Sequence, residues 1–251
     1  MSQSFLKLNQ NKTNIQVFIP NTLDCDQTLL TTNRTFENLR TTNIAKILGV
    51  TLGQKLDFKD FAVKKIQACN LQLRNLRSIK ECLPQNIKIL MITQTIFSIM
   101  DYCNSLLICT PMYIINRLQV VMNNAIRFIY NLKRTDHITE FQFKLHVLPI
   151  IFRVRFKLSL IAYKIARGLA PHYFNDIYDM YSPTTAMSLR PGRGRDTLML
   201  TVCNDRSLLF SKLTSEWNSL SLELRSTNTI DLFKRKLKTF YFRQAFPDYV
   251  T

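Results

Sequence analysis

The sequence predicts a mainly α-helical chain with a small N-terminal β portion, an α+β arrangement in which a helical bundle is followed by a basic helical C-terminal region. Three observations carry this. Five glycines in 251 residues leave few of the tight turns on which sandwiches and barrels depend. Beyond Phe61 apolar residues recur at three- and four-residue steps, the spacing of one helix face. Alternation with period two is confined to the first 60 residues and one short run near residue 200. Hydrophobic residues make up 46% of the chain, enough at this length to bury a sizeable core.

In chain order, Ile15, Val17 and Ile19 alternate with Gln16 and Phe18 until Pro20-Asn21, which predicts a first strand; residues 45–52 predict a second. Residues 61–79 then place Val63, Ile66, Cys69, Leu73, Leu76 and Ile79 on one stripe, with Lys64, Lys65, Arg74, Arg77 and Lys80 on the remainder. Pro84 interrupts, and residues 87–107 read as one helix apolar on most sides. Pro111 opens a third helix over 113–130, with Ile114, Leu118, Val121, Ala125 and Ile129 inward and Arg117 and Arg127 off the stripe. Together these predict a three-helix bundle.

Beyond Lys133, Asp136-His137-Ile138-Thr139 predicts a turn into a short helix, and residues 153–167 a longer basic helix that Gly168 caps and Pro171 stops. Residues 172–181 predict another short helix. The loop 182–196 contains Arg190-Pro191-Gly192-Arg193-Gly194-Arg195, a basic finger on a readily bent backbone. Leu198, Leu200 and Val202 then alternate as a strand, residues 207–222 return to a helix carrying the single Trp217, and Thr229 is placed to cap a closing helix. On that last helix Ile230, Phe233, Leu237 and Phe240 form the stripe, flanked by Lys234, Arg235, Lys236 and Lys238. The predicted organisation is 1–60, 61–132 and 133–251.

Thirty-four Lys and Arg face 17 Asp and Glu, a formal charge of +17 and a sequence pI near 9.8, so a polyanion is the expected partner. A membrane is not expected. The most apolar stretch, 87–100, contains Lys88, Thr93, Gln94 and Ser98 and falls short of the roughly 20 apolar residues of a span. The first residues lack the continuous apolar run of a secretory signal, which places the expected location in the cytoplasm or nucleus. Cys25, Cys69, Cys82, Cys103, Cys109 and Cys203 form no Cys-x-x-Cys pair, and His137, His146 and His172 do not cluster with them, so no zinc site is expected. Asp24-Cys25-Asp26 is the one close pair of acids, in a connection with no third ligand in view.

A series of short blocks runs in order through nearly the whole chain: Phe5-Leu6-Lys7-Leu8-Asn9-Gln10-Asn11-Lys12-Thr13, Ile47-Leu48-Gly49-Val50, Asp101-Tyr102-Cys103-Asn104-Ser105-Leu106-Leu107, Thr135-Asp136-His137-Ile138-Thr139, Leu145-His146-Val147-Leu148-Pro149, Tyr163-Lys164-Ile165-Ala166-Arg167-Gly168-Leu169-Ala170-Pro171, Glu216-Trp217-Asn218-Ser219-Leu220 and Ala245-Phe246. This succession resembles a non-LTR (LINE-type, jockey-like) retrotransposon reverse transcriptase after its catalytic centre. The resemblance implies the end of a palm, a thumb-like helical bundle over 61–132 and a C-terminal region that engages RNA and DNA. It further implies two-metal chemistry with Mg for the intact polymerase only, since the family's aromatic-x-Asp-Asp block lies upstream of the first matched residue and no Asp-Asp pair occurs in this sequence. No cofactor is therefore expected in this chain.

By the same resemblance Lys12 matches the lysine that protonates pyrophosphate, a role left vestigial without the aspartates, and Leu48, Gly49 and Val50 lie near the primer end. The basic flanks are the expected nucleic-acid contacts: Lys64, Lys65, Arg74, Arg77 and Lys80, then Arg190, Arg193 and Arg195, then Lys234, Arg235, Lys236 and Lys238. Tyr102 and Asn104 are further candidates to face a duplex, whereas Tyr163 and Trp217 read as core and His137 and His146 as packing or capping residues. The expected function is a polymerase fragment that holds template-primer or element RNA without copying it. Two other readings stay open, a helical protein-interaction or structural module and a decayed mobile-element reading frame without activity. The oligomeric state is not legible.

Overall fold

The computed structural model describes residues 14–16, 40–54, 56, 58–180, 198–202 and 208–249, and they are mainly helical with a small N-terminal β portion. The chain divides into two compact units, Met1–Lys64 and Lys65–Thr251.

In the first unit β1 (Asn14–Ile15) pairs in parallel with β2 (Arg40–Thr41); of the strand predicted over 15–19, Gln16 is not in strand and residues 17–19 lie outside the described residues. The predicted strand 45–52 is instead a hairpin: β3 (Ile44–Ile47) pairs antiparallel with β4 (Val50–Gly53) in the register Ile47 to Val50 and Ala45 to Leu52. Leu48 and Gly49 both have positive φ, 47° and 82°. That backbone matches the two-residue turn whose twist suits a hairpin, and it folds one apolar run back on itself. Gln16 donates from its side-chain amide to the Leu52 carbonyl at 2.8 Å, fastening residue 16 to β4.

Helix α1 (Lys59–Ser78) crosses from one unit to the next, and in the second unit Ile66, Cys69, Leu73 and Leu76 are its buried stripe. Ile79 falls beyond the helix end and is exposed. The single helix predicted over 87–107 is broken into several geometries. Helix α2 (Gln85–Ile92) widens into a π turn at Thr93–Phe97, continues as α3 (Ser98–Asp101) and stops; a 3-10 turn, Asn104–Cys109, follows. Through this stretch hydroxyls turn back onto carbonyls one turn earlier: Thr93 donates to the Ile89 carbonyl at 2.8 Å, Thr95 to Met91 at 2.6 Å and Ser98 to Gln94 at 2.5 Å. Cys103, in the left-handed region at φ 48°, turns the chain out of the helix.

Helix α4 (Met112–Tyr130) buries Ile114, Leu118, Val121, Ala125 and Ile129, as its periodicity predicts, and ends in left-handed Asn131. Helix α5 (Thr139–Lys144) follows a turn in which the Lys133 amide donates to Asp136 at 2.7 Å. It closes with His146 at φ 51°, whose amide reaches the Phe143 carbonyl while that of Val147 reaches Gln142. Helix α6 (Ile150–Ala166) closes in the same way. Gly168, at φ 65°, donates to the Ile165 carbonyl and Leu169 to that of Lys164, the paired bonds of a Schellman cap.

Helix α6 is the centre of the second unit, packed against α4, α7 (Leu208–Asn218) and α9 (Ile230–Ala245), so residues on both sides of 132 share one core. The predicted helix 172–181 is a 3-10 turn, His172–Phe174, followed by strand β5 (Tyr178–Met180), which pairs antiparallel with β6 (Leu200–Val202). Asn218, at the end of α7, exchanges two 3.0 Å hydrogen bonds with the Leu200 backbone, extending that ladder with a side chain. Of the helix predicted over 207–222, α7 covers Leu208–Asn218 and a break follows before α8 (Leu222–Arg225).

Between these elements lies an aromatic cluster. Tyr163 stacks on Phe233 with centroids 4.3 Å apart, Trp217 meets both rings, and the Trp217 indole donates to the Leu198 carbonyl at 2.7 Å. Buried polar groups are joined in a chain alongside: the Tyr241 hydroxyl donates to the Glu216 carboxylate at 2.7 Å, which leaves Ser159 to donate to the Tyr241 oxygen at 2.9 Å. Burial pushes the Tyr241 phenol well up from its ordinary range, so it stays a donor.

Candidate nucleic-acid interface

The basic residues predicted on α1 separate into two kinds. Lys65 does not belong to a solvent face: it is 5% exposed, and its ammonium donates to the carbonyls of Ile99, at 2.8 Å, Met100, at 3.2 Å, and Tyr102. These are carbonyls at the end of α3, which the helix itself leaves unpartnered. A lysine placed there satisfies them and opposes the negative end of the helix dipole. Sequence periodicity alone puts residue 65 beside the buried stripe, and the acceptors that draw it inward lie more than 30 residues away. Burial pulls its pKa from the ordinary lysine range down to about 8, partly offset by the nearby Cys103, Cys69 and Asp101.

Arg74 and Arg77, three residues apart on the helix, are exposed, and Lys80 is half-buried in the 3-10 turn Lys80–Cys82. Lys64 is exposed and donates to the Thr51 hydroxyl at 3.0 Å. In the hairpin turn Leu48 is 87% exposed and Val50 is buried. Tyr102 is partly exposed, whereas Asn104 is buried and turned to Asp101 at 3.3 Å.

On α9 the flank also divides. Lys234, Arg235 and Lys238 are exposed, with Lys234 3.2 Å from Asp231 one turn earlier, while Lys236 is turned to Glu223 at 2.6 Å. Lys12, Arg190, Arg193 and Arg195 lie outside the described residues, as does Asp24-Cys25-Asp26.

The structure adds residues that the sequence reading left unassigned. Arg153, Lys157 and Lys164 recur at four and seven residues along α6 and therefore share one face. Arg153 grips Asp101 through both carboxylate oxygens and lies over the Phe97 ring. A cavity of about 320 Å³ opens beside that pair. Arg153 and Lys157 line it from α6, Lys238 from α9, His146 from the connection before α6, Asp101 from α3 and Asn104 from the 3-10 turn that follows. The four-residue spacing of Arg153 and Lys157 was a legible signal. Their convergence with Lys238, 81 positions beyond Lys157, was not.

The four cysteines among the described residues, Cys69, Cys82, Cys103 and Cys109, are free thiols, and Cys69 is buried with its pKa pushed up to about 11. Among the described residues no three His, Cys, Asp or Glu side chains stand where they could hold a metal ion, and no helix is long and apolar enough to cross a membrane. Comparison with protein-family models, with curated proteins and with solved structures finds no match.

Proposed function

We propose that this chain is the nucleic-acid-holding part of a LINE-type reverse transcriptase, and that by itself it binds RNA or DNA without copying it. The observation that carries the reading is the ordered series of sequence blocks from Leu6 to Phe246. The charge agrees: cations exceed anions by 17, and exposed Arg74, Arg77, Lys234, Arg235 and Lys238 stand on helices rather than on coil. Such contacts hold phosphates at fixed register and carry no base sequence information. The polymerising step in this family needs paired aspartates for two metal ions, and no Asp-Asp pair occurs in this sequence.

The test joins two measurements on the full chain. Binding to a template-primer duplex, followed by fluorescence anisotropy, should weaken steeply as salt rises, with a log-log slope of about −0.9 for each phosphate neutralised. Primer extension with Mg and all four deoxynucleotides should yield no product. Salt-insensitive binding would remove the electrostatic part, and template-directed extension the non-copying part. If excess unrelated RNA or DNA fails to displace an acidic protein partner, the protein-interaction reading takes its place.

A further inference from the structure

We infer that the cavity beside Asp101 and Arg153 is a seat for a phosphate group, carried by a nucleic-acid strand end or by a free nucleotide. Three cations, Arg153, Lys157 and Lys238, face it against the single carboxylate of Asp101. Arg153 already engages that carboxylate through two hydrogen bonds, so the acid is neutralised where it stands. Lys157 and Lys238 have no carboxylate partner among the described residues and are exposed at the rim. Two positive charges are thus left in excess. Lys238 is steadied over the Phe242 ring, 5.5 Å from its centroid, and the His146 ring also packs against Phe242.

The seat is built from parts of the chain far apart in sequence and joined by the core of the second unit. Arg153 and Lys157 are fixed on α6, which is anchored through Val154 and Leu158, both buried. Lys238 follows Leu237, which is buried on α9. Cations on two packed helices have attachment points held at a set separation, which suits a compact group with three terminal oxygens better than an extended chain. The volume lies at the lower end of the range for small-molecule sites, which suits a terminal phosphate with part of its nucleoside and excludes a duplex. Phe156 and Leu148 supply apolar wall for the remainder.

The source of the phosphate rests on the nucleic-acid reading, and the seat itself does not. The full chain and the double variant Lys157→Gln/Lys238→Gln would be titrated calorimetrically, at constant ionic strength, with inorganic phosphate, with AMP, and with a short oligonucleotide bearing or lacking a 5′-phosphate. Both substituted side chains are exposed, so the fold should persist, and a thermal melt verifies it. AMP should bind the wild type at least about tenfold more tightly than the variant, the effect of losing one charge-assisted contact. Lys157→Arg/Lys238→Arg should restore it. A strand source predicts that the 5′-phosphate strengthens oligonucleotide binding only in the wild type, and a free-nucleotide source that AMP alone shows the difference. Equal binding of AMP and phosphate by wild type and Gln variant overturns the seat. If oligonucleotide binding remains salt-dependent in that case, the broader nucleic-acid reading survives without it.

Discussion

The ammonium of Lys65 lies 2.8 Å from the carbonyl oxygen of Ile99, so a residue from the basic side of one helix closes the end of another. With the Met100 and Tyr102 carbonyls it completes a three-acceptor cap in a buried position. Burial works against the charge, yet a pKa of about 8 keeps Lys65 protonated at neutral pH, and the cap holds. Lys65→Met keeps the apolar stem and strands the carbonyls. It should lower stability at pH 7 by about 1 to 3 kcal/mol, measured by urea denaturation.

The same lysine gives stability a pH dependence of known sign. Its folded pKa is below the unfolded value of 10.5, so between about pH 8 and 10.5 the unfolded chain binds the extra proton and stability rises with pH. Buried Cys69 acts oppositely: its folded pKa, about 11, is above the unfolded 9, and its contribution is lost as pH climbs through that interval. With Cys69→Ala in both chains, wild-type Lys65 should therefore gain on Lys65→Met across pH 8 to 10.5, by on the order of 3 kcal/mol. A flat difference across that range would show that the ammonium is not buried in the folded chain.

Trp217 is fully buried and touches the stacked pair Tyr163 and Phe233, tying α7, α6 and α9 into one core. Phe233→Ala removes the ring that meets both of the others. It should cost about 3 to 5 kcal/mol and move the emission of the single tryptophan to longer wavelength as water enters the gap. An unchanged emission with normal stability would mean that these helices do not share that cluster.

What the sequence disclosed, and what it did not, follows from the range of the forces involved. The stripe of α4, the Phe233 and Leu237 positions of α9 and the Gly168 cap were legible because each is set by residues within a turn or two of one another; on α9 Tyr241 and Phe242 are buried in place of Ile230 and Phe240, which are half-buried. The π turn at 93–97 was hidden because threonine and serine are compatible with a continuous helix, and composition does not announce whether their hydroxyls turn back onto its carbonyls. The turn at Leu48-Gly49 was hidden inside the predicted strand 45–52, since leucine rarely adopts positive φ. Lys65 was assigned to the wrong surface because its acceptors are distant in sequence, and the cationic cavity went unseen for the same reason: three segments form it.

Two left-handed helix ends should both lose stability on familiar substitutions, for different reasons. Gly168 at φ 65° has open space where a side chain would begin, so Gly168→Ala meets no clash and loses only the conformational term, about 1 kcal/mol. Asn131 at φ 56° is a position where glycine usually helps, but its side-chain oxygen accepts from buried Lys88 at 3.1 Å. Asn131→Gly should therefore destabilise by about 1 kcal/mol or more, and Asn131→Asp should not. Thermal melts of the three variants decide it, and a stabilised Asn131→Gly chain would show that Lys88 does not depend on that acceptor.

Arg74 and Arg77 separate binding from folding. Both are exposed on α1 without a carboxylate partner among the described residues, so Arg74→Ala and Arg77→Ala should each change stability by less than about 0.5 kcal/mol. If each holds one phosphate, each substitution should reduce the slope of log affinity against log salt by about 0.9 on duplex and 0.7 on single strands. Lys65→Met supplies the contrast, because it removes the same formal charge from the same helix while its ammonium already has three carbonyls. Its slope should match the wild type after correction for any unfolded fraction. Equal slope changes for all three variants would mean that binding responds to net charge alone, and unchanged slopes for the two arginines would move the phosphate contacts off this face.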